Sequence, residues 1–439
     1  MAARWRLARR VAVGVMMLGV LVFGGEATTR PSEEAERLIG ELSSDSWQVR
    51  QKAQEGLVQL GPEVGVRLRA VLRGTNDEEV RARVEAVLRQ LEEMASTGAS
   101  LVTLHMRGAS PREVFAEISK QANTDLRPNP ADLWESRVWP GVDVDIEGQP
   151  FWVAMKEVCD KVGVGLQSNG LAREMTVTDR NMGMRMFGQS PGAVSGAFLF
   201  TAANVNTHRA VDLNQPGNVS RVCSIQMLVF AEPKIRVLQG SYVAKIEQAV
   251  DEKGNSLVGV PRAVSESMQP PSNWFWNLSV SLQPPAGVGQ RIAKLKGTVR
   301  FIVQTRAEKA EVGDVIGARN VTKVVGGKRF TLKGVRKQGE LYVVQMTLYR
   351  SGWTANEWML MYPYNVFKLV DGKGNPLLRT SNAGGGGGGG DEANVNLTFR
   401  RQNWPGAEDG GEPAKLVWEI PIESKEMVVP FEFRDLPMP

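Results

Sequence analysis

Few side chains in this 439-residue sequence are of a type that does chemistry. It holds two histidines, His105 and His208, and two cysteines, Cys159 and Cys223. One pentapeptide, Gly188, Gln189, Ser190, Pro191, Gly192, fits the letters of a G-x-S-x-G nucleophile elbow. The physics does not fit, because the residue after the serine must offer a backbone N–H to the oxyanion and Pro191 has none. No apolar strand leads into the segment, no helix follows it, and the candidate base His105 alternates onto the solvent side of its strand. Asp143, Asp145 and Glu147 line one strand face in the manner of paired acid and base carboxylates. Alternation makes the same stripe wherever a strand face meets water. Two histidines and two separated cysteines give no metal cluster, and phosphate-cradling and dinucleotide loops are absent from the sequence. The reading is a protein that is not an enzyme, with no catalytic, cofactor or metal residue.

Aromatic side chains offer a second kind of chemistry. Trp274, Phe275 and Trp276 follow Pro270 and Pro271, and Trp353, Trp358, Tyr362 and Tyr364 cluster in the corresponding part of a later segment. Flat rings stack on sugars, so Trp274, Trp276, Trp353 and Trp358 are the candidate glycan-binding residues; packing into a core is the competing use of the same rings. Two turns, Asp251, Lys253, Gly254, Asn255 and Asp371, Lys373, Gly374, Asn375, carry oxygen ligands that suggest calcium. A lysine stands between the ligands in each, and a hairpin turn with glycine at positive φ accounts for the same residues.

The chain is too long for one core, so several domains must position these groups. It opens with Arg4, Arg6, Arg9 and Arg10, continues with an apolar run over 11–23, and reaches small residues at Gly25 and Ala27. That is the pattern of a secretory signal peptide over 1–27, too short to span a bilayer, which implies a mature chain without a transmembrane segment. The expected location is the periplasm, cell envelope or extracellular space. The net charge of +5 lies mostly in this leader, so it does not argue for nucleic acid. Cys159 and Cys223 fall in different domains, and either a single bridge or two thiols fits their context.

Three internal repeats organise the rest. Over 28–96 the apolar residues recur at helical spacing: Trp47, Val49, Arg50, Ala53, Leu57 and Leu60 are matched by Val80, Arg81, Val84, Leu88 and Leu91 about 31 residues later. Leu60, Gly61, Pro62 closes one helix and opens the next. With Asp45, Val49, Arg50 and Ala53, this resembles HEAT repeats, an armadillo-type helical array, which implies a surface for other proteins.

Over 98–180 a strand and helix occur twice. Val102, Leu104 and Met106 precede Gly108, Ser110 and Pro111, and about 40 residues later Val142, Val144 and Ile146 precede Gly148 and Pro150. Strands at 165–167 and 175–178 close a small split βαβ domain. Leu101 to Thr178, with Gly148, Gln149, Pro150, Phe151, Trp152, Val153 and Ala154 at its second helix entry, resembles the short N-terminal domain of secretins and TonB-dependent receptors. That resemblance implies a module for contacts between envelope proteins. The strands after Met182 follow neither a secretin ring nor an outer-membrane barrel pattern.

From residue 195 the pattern is strands. Gln226 and Met227 before Phe230 match Gln345 and Met346 before Tyr349, and the two Asp-Lys-Gly-Asn turns match at an offset of about 120. Two tandem immunoglobulin-like β-sandwiches are expected, over 195–310 and 311–439, the second with a poly-glycine loop at 384–390. The predicted class is a multidomain α+β chain of HEAT-like array, split βαβ domain and two sandwiches. The predicted function is an exported, non-enzymatic scaffold or adaptor whose partners are envelope proteins, with polysaccharide a further candidate ligand; it takes no cofactor and binds no nucleic acid. The alternative is a carbohydrate-binding envelope protein using exposed tryptophans.

Overall fold

A computed structural model describes residues 31–169, 174–180, 190–211, 213–214, 219–259, 268–269, 275–354, 358, 366–383, 391–401 and 411–439. The expected signal peptide over 1–27 and the poly-glycine run at 384–390 lie outside these residues. The chain divides into two compact units at Leu91/Glu92.

The first unit is helical: α1 (Pro31–Glu41), α2 (Trp47–Gln59), a 3-10 turn at Pro62–Val64, α3 (Gly65–Gly74) and the start of α4 (Glu78–Thr97). Leu38, Leu42, Ala53, Leu57, Leu68, Val84 and Leu88 bury one stripe of each helix in a small core. The expected HEAT or armadillo array is corrected here. The described residues are mainly β, 51 % strand against 23 % helix. A helical array needs at least three stacked pairs to bury a continuous core, and this chain turns to sheet after α4.

The second unit begins with an α/β module. Strand β1 (Leu101–Ala109) leads to α5 (Pro111–Gln121) and the short β2 (Leu126–Pro128); β3 (Val142–Pro150) leads to α6 (Phe151–Val162), β4 (Val164–Asn169) and β5 (Glu174–Asp179). Helix α5 starts at a capping box, Ser110 with Glu113, with Pro111 in its first turn. Helix α6 stops at Gly163, whose φ of 78° is the left-handed conformation of a helix C-terminus. β1 and β3 pair antiparallel, and β5 pairs parallel with β2 and antiparallel with β4. Phe115, Ile118, Trp152, Met155 and Val158 pack the helices on these strands, and Leu199 and Phe230 of the next module complete the same core.

The remaining strands form two facing layers twice over. The first sandwich sets β6 (Gly192–Ser195), β7 (Phe198–Val211), β8 (Val219–Ala231) and β12 (Phe275–Leu282) against β9 (Val237–Ser241), β10 (Lys245–Asp251), β11 (Met268–Gln269) and part of β13 (Arg291–Gly313). The second sets β14 (Val321–Val325), β15 (Lys328–Gln338), β16 (Leu341–Tyr349), β18 (Leu378–Ala383) and β19 (Glu392–Arg400) against β17 (Phe367–Asp371) and part of β20 (Pro413–Pro437). Strict alternation drives these strands together: along β12, Trp276, Leu278, Val280 and Leu282 point inward while Asn277, Ser279 and Ser281 meet water.

The position 310/311, at which the second sandwich was expected to begin, lies inside β13. β13 and β20 pair from Arg291↔Pro437 to Gly313↔Lys415, with register shifts on either side of Arg306, and belong to both sandwiches. β13 starts in the first core with Leu295, Val299 and Phe301 and ends in the second with Ala310 and Val312. β20 runs the other way, from Leu416, Trp418 and Ile420 in the second core to Val429, Phe431 and Phe433 in the first. Each half thus lends its last strand to the other. The exchange has two-fold symmetry in register: Lys294 lies between Val250 and Arg434, and Lys415 lies between Val370 and Gly313. Gly297 permits the crossing, since a Cβ there would stand 2.7 Å from the Lys245 carbonyl oxygen and 2.9 Å from the Phe431 ring.

Candidate functional site

The exposed face of the β1–β3 ribbon carries the groups with the most evident chemistry. Register places His105 opposite Asp145. The imidazole Nδ1 lies 2.8 Å from Asp145 Oδ1 and Nε2 lies 2.9 Å from Glu147 Oε2. These hydrogen bonds, Asp145 first and Glu147 second, raise the His105 pKa above its ordinary value, and the His105 bond lowers that of Asp145. The ring stands between two carboxylates rather than converging with them, and among the described residues no group of His, Cys, Asp and Glu is arranged to hold a metal. Asp143 accepts from the Gly108 N–H at 2.8 Å, so the acidic stripe also fixes the ribbon backbone. The outer edge of β1 is capped by Gln121, whose side chain accepts from the Thr103 N–H and donates to the Thr103 carbonyl, each at 2.8 Å. Those two bonds occupy the backbone groups that Thr103 would offer to a further strand.

The two thiols do not meet. Cys159 is buried in the α/β core and Cys223 in the first sandwich core, both free. Burial pushes both thiols up, away from the reactive thiolate. Of the hydrolase-like pentapeptide, Gly188 and Gln189 lie outside the described residues, and the Pro191 carbonyl accepts the Ala202 N–H at 2.9 Å as part of the sheet. The Asp251 and Asp371 turns are hairpin knots. Asp251 accepts from the backbone N–H of Lys253, Asn255 and Gly289 and from the Asn255 amide; Asp371 does the same with Lys373, Asn375 and Gly411. Burial raises the Asp251 carboxyl, but the bonds from Asn255, Gly289 and Lys253 outweigh it and bring the pKa to about 2.

The candidate glycan residues separate in space. Trp276 is 3 % exposed, and its ring packs edge-on to Phe301 at 5.2 Å, so no face is open to a sugar. Trp353 and Trp358 are half-buried against the second core, 6.2 Å apart and at 68° to each other, which is not a coplanar platform. Lys328 Nζ sits 4.6 Å over the Trp353 ring. Trp274, Tyr362 and Tyr364 lie outside the described residues.

One group escaped sequence reasoning. Glu232, at the end of β8, is 1 % exposed, and its two carboxylate oxygens accept the Ser100 N–H at 2.9 and 3.1 Å. Lys234 Nζ is 3.9 Å away. Burial raises the Glu232 pKa to about 7 against the lowering effect of Ser100 and Lys234. Beside it the Trp152 indole donates to the Ala197 carbonyl at 3.1 Å, so the α/β module and the first sandwich meet through an apolar joint with a carboxylate at its rim. Among the described residues no helix is long and apolar enough to cross a membrane. Compared with protein families, curated proteins and solved structures, the chain matches none.

Proposed function

We propose that this chain is an exported, non-enzymatic scaffold of a bacterial cell envelope that holds other proteins on its second compact unit. The observation that carries this reading is the exchange of β13 and β20. It couples the two sandwiches through a shared ribbon, while the Trp152, Leu199 and Phe230 core couples the α/β module to the first of them. A body built this way loses little conformational entropy when a partner binds. The likeness of Leu101 to Thr178 to an envelope contact module supports the same reading, as does the leader pattern at 1–27. The groups of chemical type have structural work: His105 bridges two acids, both cysteines are buried, and Asp251 and Asp371 tie turns.

Chemical cross-linking of the mature chain in envelope extract, with a polysaccharide fraction run in parallel, tests it. The same protein should be recovered repeatedly, and Asp143→Lys with Glu147→Lys on the exposed ribbon should weaken its capture. Retention by polysaccharide alone would place the chain among glycan-binding proteins instead.

A further inference from the structure

The two sandwiches differ on the outer face of the sheets β7–β8–β12 and β15–β16–β19. The repeat that aligns Gln226, Met227 and Phe230 with Gln345, Met346 and Tyr349 sets Leu228 against Thr347. Strand pairing sets Phe275, opposite Phe230, against Glu392, opposite Tyr349. In the first sandwich these residues are apolar because the α/β module covers them, with Leu199 and Phe230 inside its core and Leu228 and Phe275 packed at the margin. In the second the same places are polar. The repeat also sets Glu232 against Ser351, which is exposed. The buried carboxylate therefore belongs to the half that carries the module.

Its surroundings are those of a joint. Ser100, the last residue between α4 and β1, donates its N–H to both oxygens of Glu232, and its carbonyl accepts the Phe151 N–H of α6 at 2.8 Å. The Ala197 carbonyl accepts the Glu232 N–H at 2.9 Å and the Trp152 indole N–H at 3.1 Å. Two short chains of hydrogen bonds, both through Glu232, thus join the first sandwich to the α/β module. An ionised carboxylate accepts about four hydrogen bonds, and here both oxygens share one N–H. Lys234 Nζ, at 3.9 Å, stands beyond hydrogen-bonding reach. Lys234 is the charge that acts on Glu232. On the other elements beside it, Glu93 of α4 is paired with Lys425, Arg236 with Glu419, and His105 of β1 with Asp145 and Glu147. The first turn of α6, Phe151 to Ala154, and the turn at Ala197 carry no charge.

We infer that Glu232 is a proton-operated latch on this joint: protonated, it holds the α/β module and the first sandwich together, and ionised, it is a buried, under-bonded charge that loosens them. Burial, which places its pKa at about 7, acts in the same sense. A carboxyl freed to water titrates near 4.5, so the closed joint binds the proton more tightly than the open one. Closure is strongest below about pH 4.5, weakens as pH rises toward 7 and is level above that. Opening uncovers the apolar faces of Leu199, Phe230 and Trp152. The latch goes beyond the scaffold reading, because it concerns how the modules are held and not what they hold.

Hydrogen exchange on the full chain between pH 5 and 8, corrected for the intrinsic pH dependence of amide exchange, reads the joint. The amides of Ser100, Phe151 and Glu232 should lose at least about ten-fold in protection between these limits, while Leu416 and Trp418 in the second core keep theirs. Glu232→Gln keeps an acceptor and cannot ionise, so it should abolish the loss. Lys234→Ala should enlarge it, because the ionised form then has no cation beside it; this partly exposed position also keeps the test open should Glu232→Gln not fold. Constant protection in the parent, an equal loss in parent and Glu232→Gln, a loss that Lys234→Ala leaves unchanged or reduces, or one shared equally by Leu416 and Trp418 overturns the proposal. Protein capture by the ribbon face is a separate readout, so the latch and the scaffold reading fail separately.

Discussion

The ring of Phe431 in the last strand packs 5.2 Å from the ring of Phe200 in the first long strand of the sandwiches. The first sandwich therefore closes only when the end of the chain arrives. Phe431→Ala leaves a cavity between Phe200, Phe433 and the Gly297 backbone, and the cost expected for a buried phenylalanine is about 3–5 kcal/mol. Denaturant unfolding monitored by tryptophan fluorescence reads it directly; a loss below about 1 kcal/mol would mean that β20 is not needed in the first core.

Asp251 and Asp371 should behave as a matched pair. Each carboxylate accepts several N–H bonds that alanine cannot replace, so Asp251→Ala and Asp371→Ala are each expected to lower the thermal midpoint by roughly 5 °C. The Asp251 pKa of about 2 lies below its ordinary 3.8. Its stabilisation is therefore present above about pH 3.8 and is lost as pH falls toward 2. Melts between pH 2 and 5 should show a shallower acid limb in Asp251→Ala than in the parent.

Glu232 works in the opposite sense. Its pKa of about 7 in the folded chain lies above the ordinary 4.5, so the folded state holds the proton more tightly than the unfolded one. Stability is greatest below about pH 4.5, declines as pH rises toward 7, and is level above that; the decline is at most about 3 kcal/mol. Glu232→Gln keeps an acceptor for the Ser100 N–H and removes the ionisation. It should melt higher than the parent at pH 8 and close to it at pH 4.5, and an identical pH slope in both proteins would show that Glu232 does not titrate in this range.

His105 should titrate above the ordinary histidine value of 6.5, held protonated by Asp145 and Glu147. Proton NMR of the imidazole C2–H resolves it from His208. Asp145→Asn should bring the midpoint down, and Glu147→Gln should do so as well. A His105 midpoint at or below 6.5 in the parent would contradict the bridged geometry.

Much of the local structure was legible because it depends on neighbours in sequence. In both strand–helix pairs the strand turns toward its helix at a glycine of positive φ, Gly108 and Gly148, and Asp251 and Asp371 tie the turns in which they were read. The exchange of β13 and β20 was not legible. Alternating apolar residues state that a strand has an inner face but not which core that face belongs to, so Phe431 reads alike whether it completes its own half or the other. The helical period over 31–97 was real, but it covers too little chain to set the class, and sheet dominates. Among the aromatic candidates, Trp276 was ambiguous for the same reason as Phe431: its strand face was evident, and its burial depended on the distant Phe301. Glu232 carried no sequence signal, since its partner Ser100 lies in another module.

β13 and β20 run through both sandwiches and tie them together. Native-state hydrogen exchange on the full chain, read in parent and Phe431→Ala proteins, tests it most directly. The shared ribbon predicts that the amides of Val299 and Phe301 in the first core and of Ala310 and Val312 in the second open with similar free energies, and that Phe431→Ala lowers all four together. Full protection of Ala310 and Val312 in Phe431→Ala, with Val299 and Phe301 exchanging freely, would contradict it and return the sandwiches to independent domains.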